Sequence, residues 1–236
     1  LNKCAENVGG VKKESGLLGY GNTIVLSADR NGSTAFIQNL KISRSLNGDS
    51  EVLLGECFSQ DSNKNQPPGW WDPENIPPSK VVEYVNRGTG KPATIKLQLT
   101  WPTFNKTYFD IKADKRIFFH RNLFDSTLSR CVALTTGHWF TTQNEDIDIS
   151  SINIPQQFFV SRLEYRIEKY LEYIEYIQNW CNEWYRYETY KYPKNLIIKP
   201  NVDKQLIVDN YQDLKSVYNR YSETVDIEKI LSEKIK

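Results

Sequence analysis

The chain has 236 residues, 39% of them hydrophobic and 13% aromatic, enough to bury a real core in one large domain or two small ones. Its 30 basic residues stand against 29 acidic ones, a net charge of +1, which argues against a general nucleic-acid coat because neutralising phosphates wants a basic surplus. No run approaches the roughly 20 apolar residues of a membrane span, and the opening "LNKCAENVGG" has no apolar signal core, so a cytoplasmic protein without a membrane span is expected.

Residues 1–22 are polar and glycine-rich and read as an N-terminal segment ahead of a single α/β domain over 23–236. In "TIVLSADRNGSTAFIQNLKIS" an apolar run predicts a strand at about 23–28, a turn at 29–33 and a helix starting near Ser33 or Thr34. "EVLLGECF" (51–58) reads as a short second strand with its exit. The polar stretch 59–79 is a loop of the length usually reserved for function or disorder. Ser79 is a good N-cap for the helix "KVVEYVNR", which Gly88 stops.

Strands follow at "ATIKLQLTW" (93–101) and "KRIFFH" (115–120), and the helical pattern "LFDSTLSRCVALTTG" comes next. A second polar loop spans 138–157. The longest helix is expected over about 158–190: it lacks Gly and Pro, and Leu163, Ile167, Leu171, Ile174 and Cys181 recur at helical spacing until Pro193 ends it. "KQLIVDN" predicts a last strand at about 204–209 and "YQDLKSVYNRYSE" a final helix.

Strands alternating with helices predict a parallel sheet covered on both faces, with ligands at the carboxyl ends of the strands. Cys4, Cys57, Cys131 and Cys181 form no CxxC and read as reduced thiols, Cys131 and Cys181 in helix-like stretches. They are too scattered to complete a zinc site with His120 and His138.

Two strand tips carry the chemistry. At the first, a helix N-terminus offers N–H groups and partial positive charge; Gly32 lets backbone approach an anion, and Arg30, Ser33 and Thr34 complete a phosphate cradle. The same residues also make an ordinary turn with Ser33 as N-cap. No Lys follows Gly32, so this is not a Walker A loop, and a γ-phosphate ligand is disfavoured. At the second tip, in "RIFFHRNLFDSTLSR", Arg121 precedes Ser129 by eight residues. A guanidinium fork and a hydroxyl in the second helical turn suit another phosphate, unless Arg121 simply pairs with Asp125.

Together, "RNGST" and "RNLFDSTLS" resemble the two nucleotide-binding motifs of the PAPS-dependent sulfotransferases, PAPS being 3′-phosphoadenosine 5′-phosphosulfate. "TIKLQLTW", "LTTGHW" and "LIVDNYQDL" resemble segments of the bacterial branch that includes trehalose 2-sulfotransferase, so the likeness runs over about 23–214. Asp29 and Asn31 depart from the family's Pro and Ser, Leu123 from a common Pro, and Gln212 from Glu.

The resemblance implies a three-layer, P-loop-like α/β fold with a central parallel sheet flanked by helices. It implies PAPS as co-substrate and PAP, the desulfated nucleotide, as product, with no metal. Arg30, Asn31, Gly32, Ser33 and Thr34 would hold the 5′-phosphosulfate, and Arg121 and Ser129 the 3′-phosphate. Lys96 and Arg30 would stabilise the leaving group, and Glu56, just after the second strand, would be the general base, with His138 its rival. Trp70 and Trp71 are flat amphipathic surfaces for a sugar ring, so with His138 they would line the site of a small, carbohydrate-like acceptor. A homo-oligomer is compatible with the sequence. The other readings are a decayed, non-catalytic nucleotide-binding protein of the same fold and a small-molecule kinase.

Overall fold

Five short strands build one parallel sheet. The computed structural model describes residues 22–46, 52–56, 77–87, 93–101, 104–137, 151–191 and 204–233. The strands are β1 (Thr23–Ser27), β2 (Val52–Glu56), β3 (Ala93–Gln98), β4 (Lys115–His120) and β5 (Glu183–Arg186). The helices are α1 (Ser33–Leu46), α2 (Pro78–Arg87), α3 (Leu123–Thr136), α4 (Gln156–Trp180), α5 (Lys204–Ile207), α6 (Tyr211–Thr224) and α7 (Ile227–Ser232), with a 3-10 turn at Lys106–Asp110.

The strand order is β2-β3-β1-β4-β5, and every pairing is parallel. Val25 of β1 lies level with Lys96 of β3 on one side and with Ile117 of β4 on the other. Successive strand residues point to opposite faces, and two cores result. Val25, Ile117 and Phe119 pack with Phe36 and Ile37 of α1. Ile24, Leu26, Ile95, Leu97 and Phe118 pack with Val81 and Val85 of α2 and with buried residues of α3 and α4. Each fully buried Leu, Ile or Phe contributes about 1.5–3 kcal/mol of transfer free energy. The central strand β1 has all five residues buried, as strands covered on both faces must.

Topology decides where a ligand fits. β1 leaves through α1 toward β2, while its neighbour β4 leaves through α3 and α4 toward β5 on the opposite side. Where two adjacent strands send their connections apart, a crevice opens beyond their carboxyl ends. Residues 28–33 and 121–123 flank that crevice.

Two sequence-based expectations are corrected. The long helix ends at Trp180, not near residue 190, and Cys181 is already extended. The next residue explains the break. Asn182 donates its N–H to Arg116 O at 2.9 Å and its Nδ2–H to Asp114 O at 2.8 Å, while its Oδ1 accepts from Arg116 N at 2.8 Å. These bonds clamp the chain to the edge of β4, and "EWYR", with two aromatic residues suited to a sheet, continues as β5. The segment 204–209 is not a strand. Lys204–Ile207 is a helical turn, and only Val208 bridges to Ile152, because β5 already occupies the edge beyond β4.

Smaller shifts have local causes. β3 stops at Gln98, where the chain turns so that Trp101 N–H donates to Gln98 O at 3.2 Å. α2 begins at Pro78, a residue suited to the first helical position. Gly137, with φ of +73°, closes α3.

Cys131 and Cys181 are free and buried, and burial pushes their thiols up to about 11 and about 12 respectively. Cys4, Cys57 and nearly all of the N-terminal segment lie outside the described residues. Among the described residues no helix is long and apolar enough to cross a membrane.

Candidate functional site

The β1–α1 turn is held in an unusual backbone conformation. Arg30 has φ of +62°, in the left-handed region that costs an L-residue about 1–2 kcal/mol. Gly32 follows at φ of +80°, where glycine has no Cβ to penalise. Gly32 O accepts from Phe36 N at 3.2 Å, so Gly32, not Ser33, occupies the N-cap position and α1 starts at Ser33. The amides of the first helical turn therefore sit just beyond the glycine, without carbonyl partners inside the helix.

The two strand tips meet. Arg30 Nε donates to Ser129 Oγ at 3.3 Å, and an Arg121 Nη1–H donates to Arg30 O at 3.4 Å. Lys96 Nζ, on the α1 face of β3, donates to Thr34 Oγ1 at 3.2 Å. Arg30, Arg121 and Ser129 thus form one hydrogen-bonded group, and Lys96 reaches the first turn of α1 just past the glycine. Glu56 is the Cα partner of Lys96 in the β2–β3 register, which puts it at the same level of the sheet. Its side chain lies outside what is described, as do Trp70, Trp71 and His138 entirely.

Asn31 turns inward. Its side chain is fully buried, and Nδ2 donates to Phe119 O at 3.4 Å and Tyr170 Oη at 3.5 Å. Only its backbone remains to meet a ligand. Asn31 Oδ1 is buried without a donor among the described residues.

Asp29, the acid beside the turn, points away from the crevice. Its Oδ1 accepts from Arg166 Nη2 at 2.5 Å and from Thr100 Oγ1 at 2.9 Å; its Oδ2 pairs with Arg130 Nη1 at 3.0 Å. Burial alone would raise its pKa, but the Arg166 and Arg130 guanidiniums and the Thr100 hydroxyl outweigh that and hold it below the ordinary aspartate value. Arg166, Arg130 and, more weakly, Arg30 are the cations that act on this carboxylate. Burial and the charges of Arg121, Arg130 and Arg166 make Arg30 easier to deprotonate, with Asp29 opposing them. Arg121 is also buried, and its Nε has no acceptor among the described residues. A buried guanidinium N–H without an acceptor among the described residues is a place where an anion can be received.

The N-terminus of α3 is closed to such an anion. Asn122 caps it through a 3.1 Å bond from Asp125 N to Oδ1. Asn122 N donates to Glu188 Oε1 and Leu123 N to Glu228 Oε1, both at 2.7 Å, and Arg186 bridges the two carboxylates. Burial raises the Glu228 carboxyl pKa in spite of the Leu123 N–H and Arg186. Away from that N-terminus, α3 presents the Ser129 hydroxyl to Arg30. Arg121 does not pair with Asp125; its guanidinium lies 4.5 Å from the centre of the Tyr187 ring.

Tyr187 follows directly on β5 and lies against the turn. A Cβ built on Gly32 would stand 2.5 Å from Tyr187 Cε2. This contact, like the Asp29 cluster, escaped sequence reasoning. One signal was available for Arg166: it lies between Leu163 and Tyr170 on the buried stripe of α4, where a lone charge demands a counter-charge. His120, at the tip of β4, stacks on Phe118 with neither ring nitrogen bonded among the described residues. Burial and the Arg186 charge hold its pKa at about 4, so the ring is neutral.

No protein-family model matches this sequence, and no curated protein does.

Proposed function

We propose that this chain is a PAPS-dependent sulfotransferase acting on a hydroxyl of a carbohydrate or similar small acceptor. The observation that carries the reading is the meeting of Arg30 with Ser129. It supports the reading because two segments, each expected from the sequence to hold an anion, come into direct contact there. One ligand with two anionic groups suits that arrangement better than two independent ligands. A β2-β3-β1-β4-β5 parallel sheet with its turn between β1 and α1 is compatible with a three-layer, P-loop-like fold.

In this reading Arg121 and Ser129 hold the 3′-phosphate, and the amides of residues 32–34 with the Ser33 and Thr34 hydroxyls hold the 5′-phosphosulfate. Asn31 contributes backbone only. Glu56 takes the proton of the acceptor hydroxyl as its oxygen attacks sulfur. The bond from sulfur to the bridging oxygen breaks, and Lys96 and Arg30 neutralise the charge left on the departing nucleotide phosphate. Positioning and fixed charges supply the catalysis. Trp70, Trp71 and His138 are assigned to the acceptor side. The protein acts on its own or as a homo-oligomer in the cytoplasm.

Titration calorimetry with PAP tests the reading. Micromolar or tighter binding is expected, weakened in Arg121→Ala and Ser129→Ala. Binding of Mg-ATP in preference to PAP would replace this reading with a kinase. PAP binding without transfer to a broad acceptor panel would leave a nucleotide-binding protein.

A further inference from the structure

The β1–β4 pairing fixes the two strand tips, but both anion half-sites lie beyond those tips. Something else must set their separation. Besides the direct Arg30–Ser129 and Arg121–Arg30 bonds, two straps brace the gap from behind, and both end on Asp29. In the first, Arg166 of α4 donates from Nη2 to Asp29 O at 2.9 Å and to Asp29 Oδ1 at 2.5 Å, and from Nη1 to Ser126 Oγ of α3 at 3.4 Å. In the second, Arg130, the residue after Ser129, pairs with Asp29 Oδ2 at 3.0 Å. Thr100 fixes the acid from the β3 side, accepting from Asp29 N at 3.1 Å while donating to Oδ1. Arg166 is 2% exposed, so without a carboxylate its charge would be buried and uncompensated.

We propose that Asp29 is a positioning residue that holds the two anion half-sites at one separation and so selects a ligand carrying two phosphate-class groups over a ligand carrying either alone. The proposal rests on the nucleotide reading above. Asp29 touches no ligand. Its carboxylate is turned into α3 and α4, and it acts through Arg166, Arg130 and the turn. When the straps hold, binding one anionic group leaves the other half-site already in place, and the two groups reinforce each other. When a strap is cut, each half-site still binds its own group, but the second no longer finds its partner pre-set.

The test compares affinities of the full chain for adenosine 3′,5′-bisphosphate, adenosine 5′-monophosphate and adenosine 3′-monophosphate by calorimetry. Wild type is expected to bind the bisphosphate roughly a hundredfold or more tighter than either monophosphate. Asp29→Asn and Arg130→Gln are expected to lose roughly tenfold or more of bisphosphate affinity while monophosphate affinities change by less than about threefold. Should Asp29→Asn fail to fold, Arg130→Gln carries the test alone, because that side chain is 31% exposed. Variants that keep the full bisphosphate advantage, or lose affinity equally for all three ligands, overturn the positioning role while the wild-type preference keeps the site assignment standing. A wild type without preference for the bisphosphate overturns the site assignment itself, and the proposal with it.

Discussion

Arg30 Nε donates to Ser129 Oγ at 3.3 Å, joining the end of the first strand to a helix 99 residues further along the chain. The bond explains why a left-handed arginine is tolerated in the turn. A φ of +62° carries the side chain toward α3 while its carbonyl accepts from Arg121.

Removing either arm of the second half-site should weaken PAP. Arg121→Ala deletes a charged donor that lacks an acceptor at Nε among the described residues, and a loss of about 2–3 kcal/mol, or about 30- to 150-fold in Kd, is expected. Ser129→Ala deletes one neutral donor, for about 1 kcal/mol, or about fivefold. Calorimetry reads both; affinities unchanged in the pair would remove the 3′-phosphate from this site.

Gly32→Ala should destabilise the fold for two separable reasons. The φ of +80° strains any side chain, and the new Cβ would stand 2.5 Å from Tyr187. A total of about 2–3 kcal/mol is expected in urea denaturation, falling to about 1–2 kcal/mol when Tyr187→Ala has already opened the space. Equal costs in the two backgrounds would mean that the tyrosine is not seated on the glycine.

How much of this was legible in the sequence depends on the range of the forces involved. The β1 turn, the start of α1 and the Arg121–Ser129 spacing are local, and an apolar run broken by glycine or asparagine announced them. β5 was hidden because Trp184 and Tyr185 suit a helix stripe and a sheet alike; the Asn182 bonds to β4 decided between them. Asp29 looked like a fault in a phosphate loop. Its partner Arg166 lies 137 residues away, and no local pattern reveals such a pairing.

Breaking that pair from one side should cost more than removing it. Arg166→Met leaves the Asp29 carboxylate with Arg130, Thr100 and the weaker charge of Arg30 among the described residues and is expected to lose about 3–5 kcal/mol. The double variant Asp29→Asn with Arg166→Met should recover at least about 1 kcal/mol of that loss. Strict additivity in urea titrations would show that the two residues do not act as a pair.

His120 predicts a pH dependence with a definite sign. Its folded pKa of about 4 lies below the ordinary 6.5, so the unfolded chain takes up the proton first as pH falls. The contribution is fully present above pH 6.5 and is lost progressively between 6.5 and about 4, up to about 3 kcal/mol. His120→Phe keeps the stacking on Phe118 and removes two nitrogens that have no hydrogen-bond partner among the described residues. Its stability relative to wild type should grow as pH is lowered through that window; a constant difference would mean that the imidazole is not held neutral.

The middle position of β1 sets the schedule by which the crevice comes into being. The first strand leaves the ribosome early, yet both of its neighbours, the counter-ion from α4 and the ring of Tyr187 come from later in the chain. A nascent polypeptide truncated before α4 has the glycine turn but lacks the Arg166 counter-ion that braces it. On the nucleotide reading proposed above, capture by an immobilised nucleotide would therefore report folding of the chain through at least Arg166, not the mere presence of the turn.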